Sequence, residues 1–132
     1  MFVHVDPTHD LAIYDQIVRQ IKFAVANGAV GVGDLVPSVR ELARELAINP
    51  NTVARAYLQL QTENVLETVR GLGLAVAAGA DKLCRQERGK LIQARLQQVL
   101  GEARQSGLEP DEIRKLVEAE LSRLQRGRPW NP

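Results

Sequence analysis

The sequence predicts a mostly α-helical fold with a small β wing: an N-terminal winged helix-turn-helix followed by a two-helix hairpin. Three observations carry that prediction. Ser38 and Glu41 stand three residues apart ahead of an apolar-periodic run, the spacing of a capping box. Asn49-Pro50 follows soon after, an N-cap type ahead of a residue whose fixed φ suits the first helical position, so only a tight turn separates two helices. Beyond the second of them, two short apolar stretches flank Arg70-Gly71-Leu72-Gly73, the composition of a hairpin turn.

The elements follow in order. Residues 2–5 suit either a short edge strand or an arm. Ile13, Ile17, Ile21, Ala24 and Val25 recur at helical spacing, giving a first helix that ends at Asn27-Gly28. The capped helix begins at about Val39 and stops near Leu46 or Ala47. In the helix opened by Pro50, a step of about 100° per residue puts Val53, Ala56, Tyr57 and Leu60 on a buried side. Asn51, Thr52, Arg55 and Gln59 fall on the other side, free to meet a partner. Asn64 marks the end of this helix, because Asn is the usual substitute for Gly in the left-handed conformation that terminates helices. Residues 65–69 and 74–77 then form the strands of the wing, with Arg70 at its tip.

After Gly79 the composition turns charged and helical. Asp81 is the expected N-cap of a helix reaching about Gln105, with Ile92, Leu96, Val99, Leu100 and Ala103 as its apolar stripe. Ser106-Gly107-Leu108-Glu109 turns the chain. Pro110 opens another helix, where Asp111 and Glu112 sit favourably against the positive end of the helix dipole; its stripe is Ile113, Leu116, Val117, Leu121 and Leu124. Two such helices bury little by themselves, and the same hairpin from a second chain would complete a four-helix cluster, so this segment is read as a dimerisation hairpin in a two-fold homodimer. The domains are then 1–78, winged helix-turn-helix, and 79–132, dimerisation hairpin and tail. Trp130 in that tail reads either as a dimer contact or as part of a frayed end.

The side chains offered by the Pro50 helix suggest what the wing and helices are for. Asn51, Thr52 and Arg55 are types that bond base edges and phosphates in a major groove, and the first amides of the helix add donors for a phosphate oxygen. Arg70 suits an adjacent minor groove or the backbone. Global charge does not supply this affinity: residues 1–78 hold six cations against eight anions, and residues 79–132 eleven against eight. Placement does, since Arg40, Arg44, Arg55 and Arg70, four of those six cations, lie in the segment expected to face double-stranded DNA.

Other function classes find little footing. No run of about eighteen apolar residues suggests a membrane span, and the N-terminus lacks a basic region before an apolar stretch, so a cytoplasmic protein is expected. The single cysteine, Cys84, cannot form an intrachain disulfide. His4, His9 and Cys84 lack the paired spacing of a metal site, and Gly71-Leu72-Gly73 lacks the third glycine and the following helix of a phosphate loop, so no metal and no cofactor are expected. No nucleophile or acid–base pair is assembled by spacing, which argues against an enzyme.

Several of these residues together resemble the GntR family of bacterial transcription regulators. The likeness runs from Ile13 to Val76 and rests on Ile13-Tyr14-Asp15-Gln16-Ile17, Gly28 with Gly33, Pro37-Ser38-Val39-Arg40-Glu41-Leu42-Ala43, Asn49-Pro50-Asn51-Thr52-Val53-Ala54-Arg55-Ala56-Tyr57 and Arg70-Gly71-Leu72-Gly73. The short remainder, with Asp6-Pro7 before the first helix, is similar to the YtrA-like subfamily, in which only two helices follow the winged domain. Three positions depart from the pattern: Asn64 stands for a usual glycine, the wing carries one arginine where a second cation is common, and Leu74-Ala75 replaces a Thr-aromatic pair.

The resemblance implies DNA contacts at Arg40, at Asn49, Asn51 and Thr52, and at the wing pair Arg70-Gly71; Ser38, Arg44 and Arg55 complete the expected DNA-facing set. It also implies a sequence-specific repressor acting on a pseudo-palindromic operator, with control of its own operon and of a transporter. The competing class is a winged-helix module that binds protein. A small-molecule effector of unidentified chemistry, if one exists, is expected between protomers or where winged domain and hairpin join, because one hairpin is too small to wrap a ligand that needs about 300–1,000 Å³. Lys82, Arg85 and Arg88 favour an anion there.

Overall fold

The computed structural model describes residues 3–127. In chain order the elements are α1 (Ile13–Ala26), α2 (Val39–Leu46), α3 (Pro50–Thr62), β1 (Leu66–Val69), β2 (Gly73–Val76), α4 (Ala80–Gln105) and α5 (Pro110–Arg126). The chain divides into two units, one ending at Arg88 and the other beginning at Gly89. Residue 2 and the Trp130 tail lie outside the described residues.

In the first unit, α1 and α2 both pack on α3. The apolar periodicity of each helix meets in one core, where Ile17, Ile21, Leu42, Val53 and Leu60 are fully buried. The ends of the helices are set locally. Ser38 Oγ accepts from the Glu41 amide and the Ser38 amide donates to Glu41 Oε1, each at 3.1 Å, so the capping box is complete. Asn49 Oδ1 accepts from the Asn51 amide at 2.8 Å and Pro50 takes the first helical position. After α3, Asn64 is left-handed at φ 62°; its amide donates to Gln61 O and the Val65 amide to Leu60 O, the two bonds of a Schellman motif. That second bond commits Val65 to the helix end, so β1 starts one residue later than expected.

β1 and β2 pair antiparallel, Leu66 opposite Val76 and Val69 opposite Gly73. Gly71 and Gly73 take φ of 81° and 124°, which the tight turn requires. The segment before α2 adds to this sheet, a feature the sequence did not suggest. Leu35 bridges Ala75, and the Val36 amide donates to Leu74 O at 2.9 Å.

The N-terminal segment is an arm and not a strand. Val3 is buried, and two glutamines of α1 serve its backbone: Gln20 Oε1 accepts from the His4 amide, while Gln16 Oε1 accepts from the Asp6 amide and Gln16 Nε2 donates to Asp6 O, all at 2.8 Å. Side-chain amides thus take the place of a neighbouring strand and leave the buried Gln16 satisfied.

Asp81 is not the N-cap of α4. Gly79, at φ 81°, turns the chain two residues earlier, and the helix begins at Ala80, whose side chain is drawn into the core with Cys84. Asp81 instead lies in the first turn and faces Arg85. In the second unit, α4 ends at Gln105 and Gly107 (φ 98°) turns the chain, and the Glu109 amide donates to Glu112 Oε1 at the start of α5. No residue of α5 is buried. No helix among the described residues is long and apolar enough to cross a membrane.

Candidate nucleic-acid interface

Besides their shared core, the two helices of the motif are joined by a side-chain hydrogen bond. Tyr57, buried on α3, donates its hydroxyl to Pro37 O at 2.8 Å and so ties the third helix to the residue just before the α2 cap. Burial pushes the Tyr57 pKa up, and Glu41 and Glu45 add to the effect, so the hydroxyl remains a donor. Ser38 bonds hold the Glu41 carboxyl below its ordinary range, with the Arg44 charge assisting. The turn between the helices needs Ala47 in the left-handed conformation at φ 55°, which lets the Ile48 amide reach back to Ala43 O.

On that frame Arg40 and Arg44 are exposed along α2, and neither has an ion-pair partner among the described residues. Asn51 is exposed and Thr52 half-buried in the first turn of α3. Together with Arg55 they line an open cleft of about 390 Å³, whose other wall is Ala12, Ile13 and Tyr14 from the entry to α1. The Arg55 guanidinium lies 4.0 Å from the centroid of the Tyr14 ring. A second cleft, of about 530 Å³, separates the α2 cap from the wing and is lined by Ser38, Glu41 and Leu72 among others. Arg70 and Gly71 are exposed on the wing turn. Of the DNA-facing set expected from sequence, Arg40 and Arg44 lie on the exposed side of α2, Asn51, Thr52 and Arg55 in the α3 cleft, and Arg70 with Gly71 at the wing tip, while Ser38 and Asn49 are engaged in the helix caps.

Gln59 does not belong with them. It is half-buried and donates to Glu63 Oε2 at 3.0 Å, because its place near the end of α3 brings it to a charge cluster. At the centre of that cluster Lys22 of α1 contacts Glu63 at 2.5 Å and Glu87 of α4 at 2.9 Å. Burial works against the Lys22 charge, but hydrogen bonds to Glu63 and Glu87 carry its pKa above the ordinary lysine value. Burial likewise works against Glu63, and its bonds with Lys22 and Gln59 more than compensate, leaving its pKa lowered. Cys84 is buried nearby with its thiol pushed up to about 11, chiefly by desolvation, which keeps it protonated and unreactive. Among the described residues, no group of three His, Cys, Asp or Glu side chains is placed to hold a metal ion.

The contacts of Tyr14 with Arg55 and of Tyr57 with Pro37 are the features of the site that residue types alone did not reveal. The aromatic at the start of α1 was a visible signal for Tyr14, but only the packing of α1 against α3 shows which arginine it meets. Tyr57 reads in sequence as core, and its hydroxyl contact is set by tertiary structure.

Comparison with known proteins agrees with this geometry. Residues 13–76 match the family described as bacterial regulatory proteins, gntR family. The chain is 34% identical over 115 residues to the HTH-type transcriptional repressor YtrA of Bacillus subtilis (strain 168), covering 87% of this chain and 88% of that protein. Among solved structures, a transcriptional regulator from Oenococcus oeni superposes with a TM-score of 0.71 at 34% identity, covering 89% of this chain and 97% of that one. YtrA from Sulfolobus acidocaldarius, a GntR-family transcription factor, superposes with a TM-score of 0.58 at 28% identity over 76% of this chain and 99% of its own. The α2–α3 geometry, the wing and the match from the first helix to the second strand all agree: this chain belongs to the GntR family and is a YtrA-like DNA-binding transcription regulator, not an enzyme.

Proposed function

We propose that the chain is a dimeric, sequence-specific repressor that binds a pseudo-palindromic operator through residues 1–78 and pairs through residues 79–132. The carrying observation is the first turn of α3. Asn49 spends its Oδ1 on the helix cap, which leaves Asn51 and Thr52 presented side by side in an open cleft, with Arg40 exposed on the helix before. Asn and Thr at the start of a second helix reach base edges, and an exposed arginine nearby supplies a phosphate or guanine contact. Repression is favoured by the likeness to the Bacillus subtilis repressor YtrA. Control of its own operon and of a transporter is the corresponding biological reading, tested by electrophoretic binding to the chain's own promoter region.

Pairing is supported by the exposed stripe of the second unit, where Ile92 and Leu96 are each 50% exposed and Leu116 55%. Val99, Val117, Leu121 and Leu124 are exposed on the same two helices, and Leu100 and Ile113 only partly covered. Two recognition helices related by a two-fold enter successive major grooves, so half-sites should lie about 10 base pairs apart or a multiple of that.

The test is selection from a random-sequence duplex library followed by footprinting. Wild-type protein should recover an inverted repeat. Arg40→Ala should weaken binding to it by about 1–3 kcal/mol with unchanged thermal stability, and Asn51→Ala should change the recovered bases at particular positions more than it changes salt dependence. Recovery of the parent consensus at parent affinity by both variants would refute the assignment.

A further inference from the structure

Among the described residues, Arg55 is the arginine of the expected DNA-facing set that rests on an aromatic ring. Its guanidinium sits 4.0 Å from the Tyr14 centroid, and no carboxylate pairs with it among the described residues. Stacking of this kind restrains a long side chain while leaving the in-plane N–H donors of the guanidinium open, and it does not neutralise the charge. Tyr14 itself is held: it is half-buried against the core at the start of α1. The stacked pair lines the same cleft as Asn51 and Thr52. An arginine fixed there, charged and with free donors, faces the place where the strand carrying the bases read by Asn51 and Thr52 must pass.

We propose that Tyr14 is a positioning residue for DNA binding: its ring holds Arg55 at the edge of the α3 cleft to take a backbone phosphate of the duplex. This rests on the reading of α3 as the DNA-facing helix. Tyr14 contributes no charge and touches no base. It acts by reducing the rotamer freedom that Arg55 would lose on binding.

The test is a double-mutant cycle in the full-length protein, using the duplex that wild type selects from a random library as probe. Tyr14→Leu keeps apolar bulk and removes the ring, and should weaken binding by about two- to fivefold. Tyr14→Phe keeps the ring and should bind as wild type. Arg55→Ala should weaken binding and reduce the salt slope by about 0.9 for each protomer's lost phosphate, and Tyr14→Leu added to it should have no further effect. Thermal melting on the same samples reads stability, and Tyr14→Met serves as a second ring-less variant if the leucine variant does not fold.

Equal affinity of Tyr14→Leu and wild type would overturn the proposal, as would additive losses in the double variant. If Tyr14→Phe binds as weakly as Tyr14→Leu, the hydroxyl contacts DNA directly and the positioning role is wrong. Wild-type affinity and slope in Arg55→Ala would remove Arg55 from the DNA while leaving the Asn51 and Thr52 assignment standing. Failure of wild type to enrich any duplex would overturn the α3 reading and this proposal with it.

Discussion

The two units treat their apolar side chains in opposite ways. In the first, Ile17, Ile21, Leu42, Val53 and Leu60 are all 0% exposed, and three helices with a hairpin close around them. In the second, Ile92 and Leu96 are half exposed and α5 buries nothing. Both units are built from amphipathic helices, so propensity and periodicity do not explain the contrast. What differs is the number of surfaces available. α3 is covered by α1 and α2, whereas the stripes of the second unit have no third element in their own unit to lie against. Most helix stability comes from packing an apolar face. The first unit therefore closes its core within one chain, whereas the second leaves its stripe uncovered, the contrast on which the proposed pairing rests.

The sharpest way to break that contrast is to place a charge in the exposed stripe. Leu121→Asp is harmless if the stripe faces water, because an exposed carboxylate keeps its hydration. If the stripe is the seam of a dimer, the carboxylate is desolvated without a partner at a cost of several kcal/mol. Light scattering should then show monomer, operator binding should be lost, and the winged unit should still melt cooperatively. A Leu121→Asp variant of unchanged mass and affinity would show that the stripe is not the seam.

The opposite substitution tests the first unit. Leu42→Ala removes a fully buried side chain from α2 and should cost about 2–5 kcal/mol in denaturant unfolding. Because that core closes within one chain, the loss should not depend on protein concentration, whereas the unfolding of the second unit should. A loss that varied with concentration would mean that the winged core is shared between protomers.

The same contrast explains what sequence could reveal. Elements whose signals are local were legible: the Ser38 capping box, Pro50 after Asn49, the glycines of the wing and left-handed Asn64. Each is fixed by a side chain within a few residues of the backbone that it satisfies. The choice between strand and arm at residues 2–5 was undecided because the partners of this stretch, Gln20 for His4 and Gln16 for the adjoining Asp6, are sixteen and ten residues away. Gln59 was assigned to the wrong role for a similar reason, since helical angle alone does not show that Lys22 and Glu63 wait at that end of α3. Asp81 failed as a cap because burial of Ala80 outweighed a side-chain preference.

The Lys22 cluster gives an intermediate effect confined to the first unit. Lys22 has 17% side-chain exposure, and Lys22→Met breaks its bonds with Glu63 and Glu87 together. A charged hydrogen bond to a partly buried partner contributes about 1–2 kcal/mol once solvent screening at Glu87 is allowed for. The sign with pH follows from both groups. Glu63 has a lowered folded pKa, so its contribution is present above the ordinary carboxylate range and lost as pH falls through the folded value. Lys22 has a raised one, so its contribution is present below the ordinary lysine range and lost as pH rises through the raised value. The difference in melting between wild type and Lys22→Met should therefore be greatest near neutral pH and shrink on acidification. A difference independent of pH would assign the effect to packing of the lysine stem.

The smallest expected effect has the opposite sign. Ala47 holds φ 55° in the turn between α2 and α3, where an L side chain crowds the following carbonyl at a cost of about 1–2 kcal/mol. The conformation persists because the Ile48 amide bonds Ala43 O and fixes where α3 begins. Ala47→Gly relieves the crowding but gives the unfolded chain more freedom, worth about 0.4–1 kcal/mol against folding. The net should be a gain of about 0.5 kcal/mol, read as a higher midpoint in urea with an unchanged slope. Operator affinity should be unchanged, since Gly adopts the same φ and the Ile48–Ala43 bond remains. A drop in affinity at unaltered stability would show instead that the Ala47 methyl touches DNA, placing the turn itself in the interface.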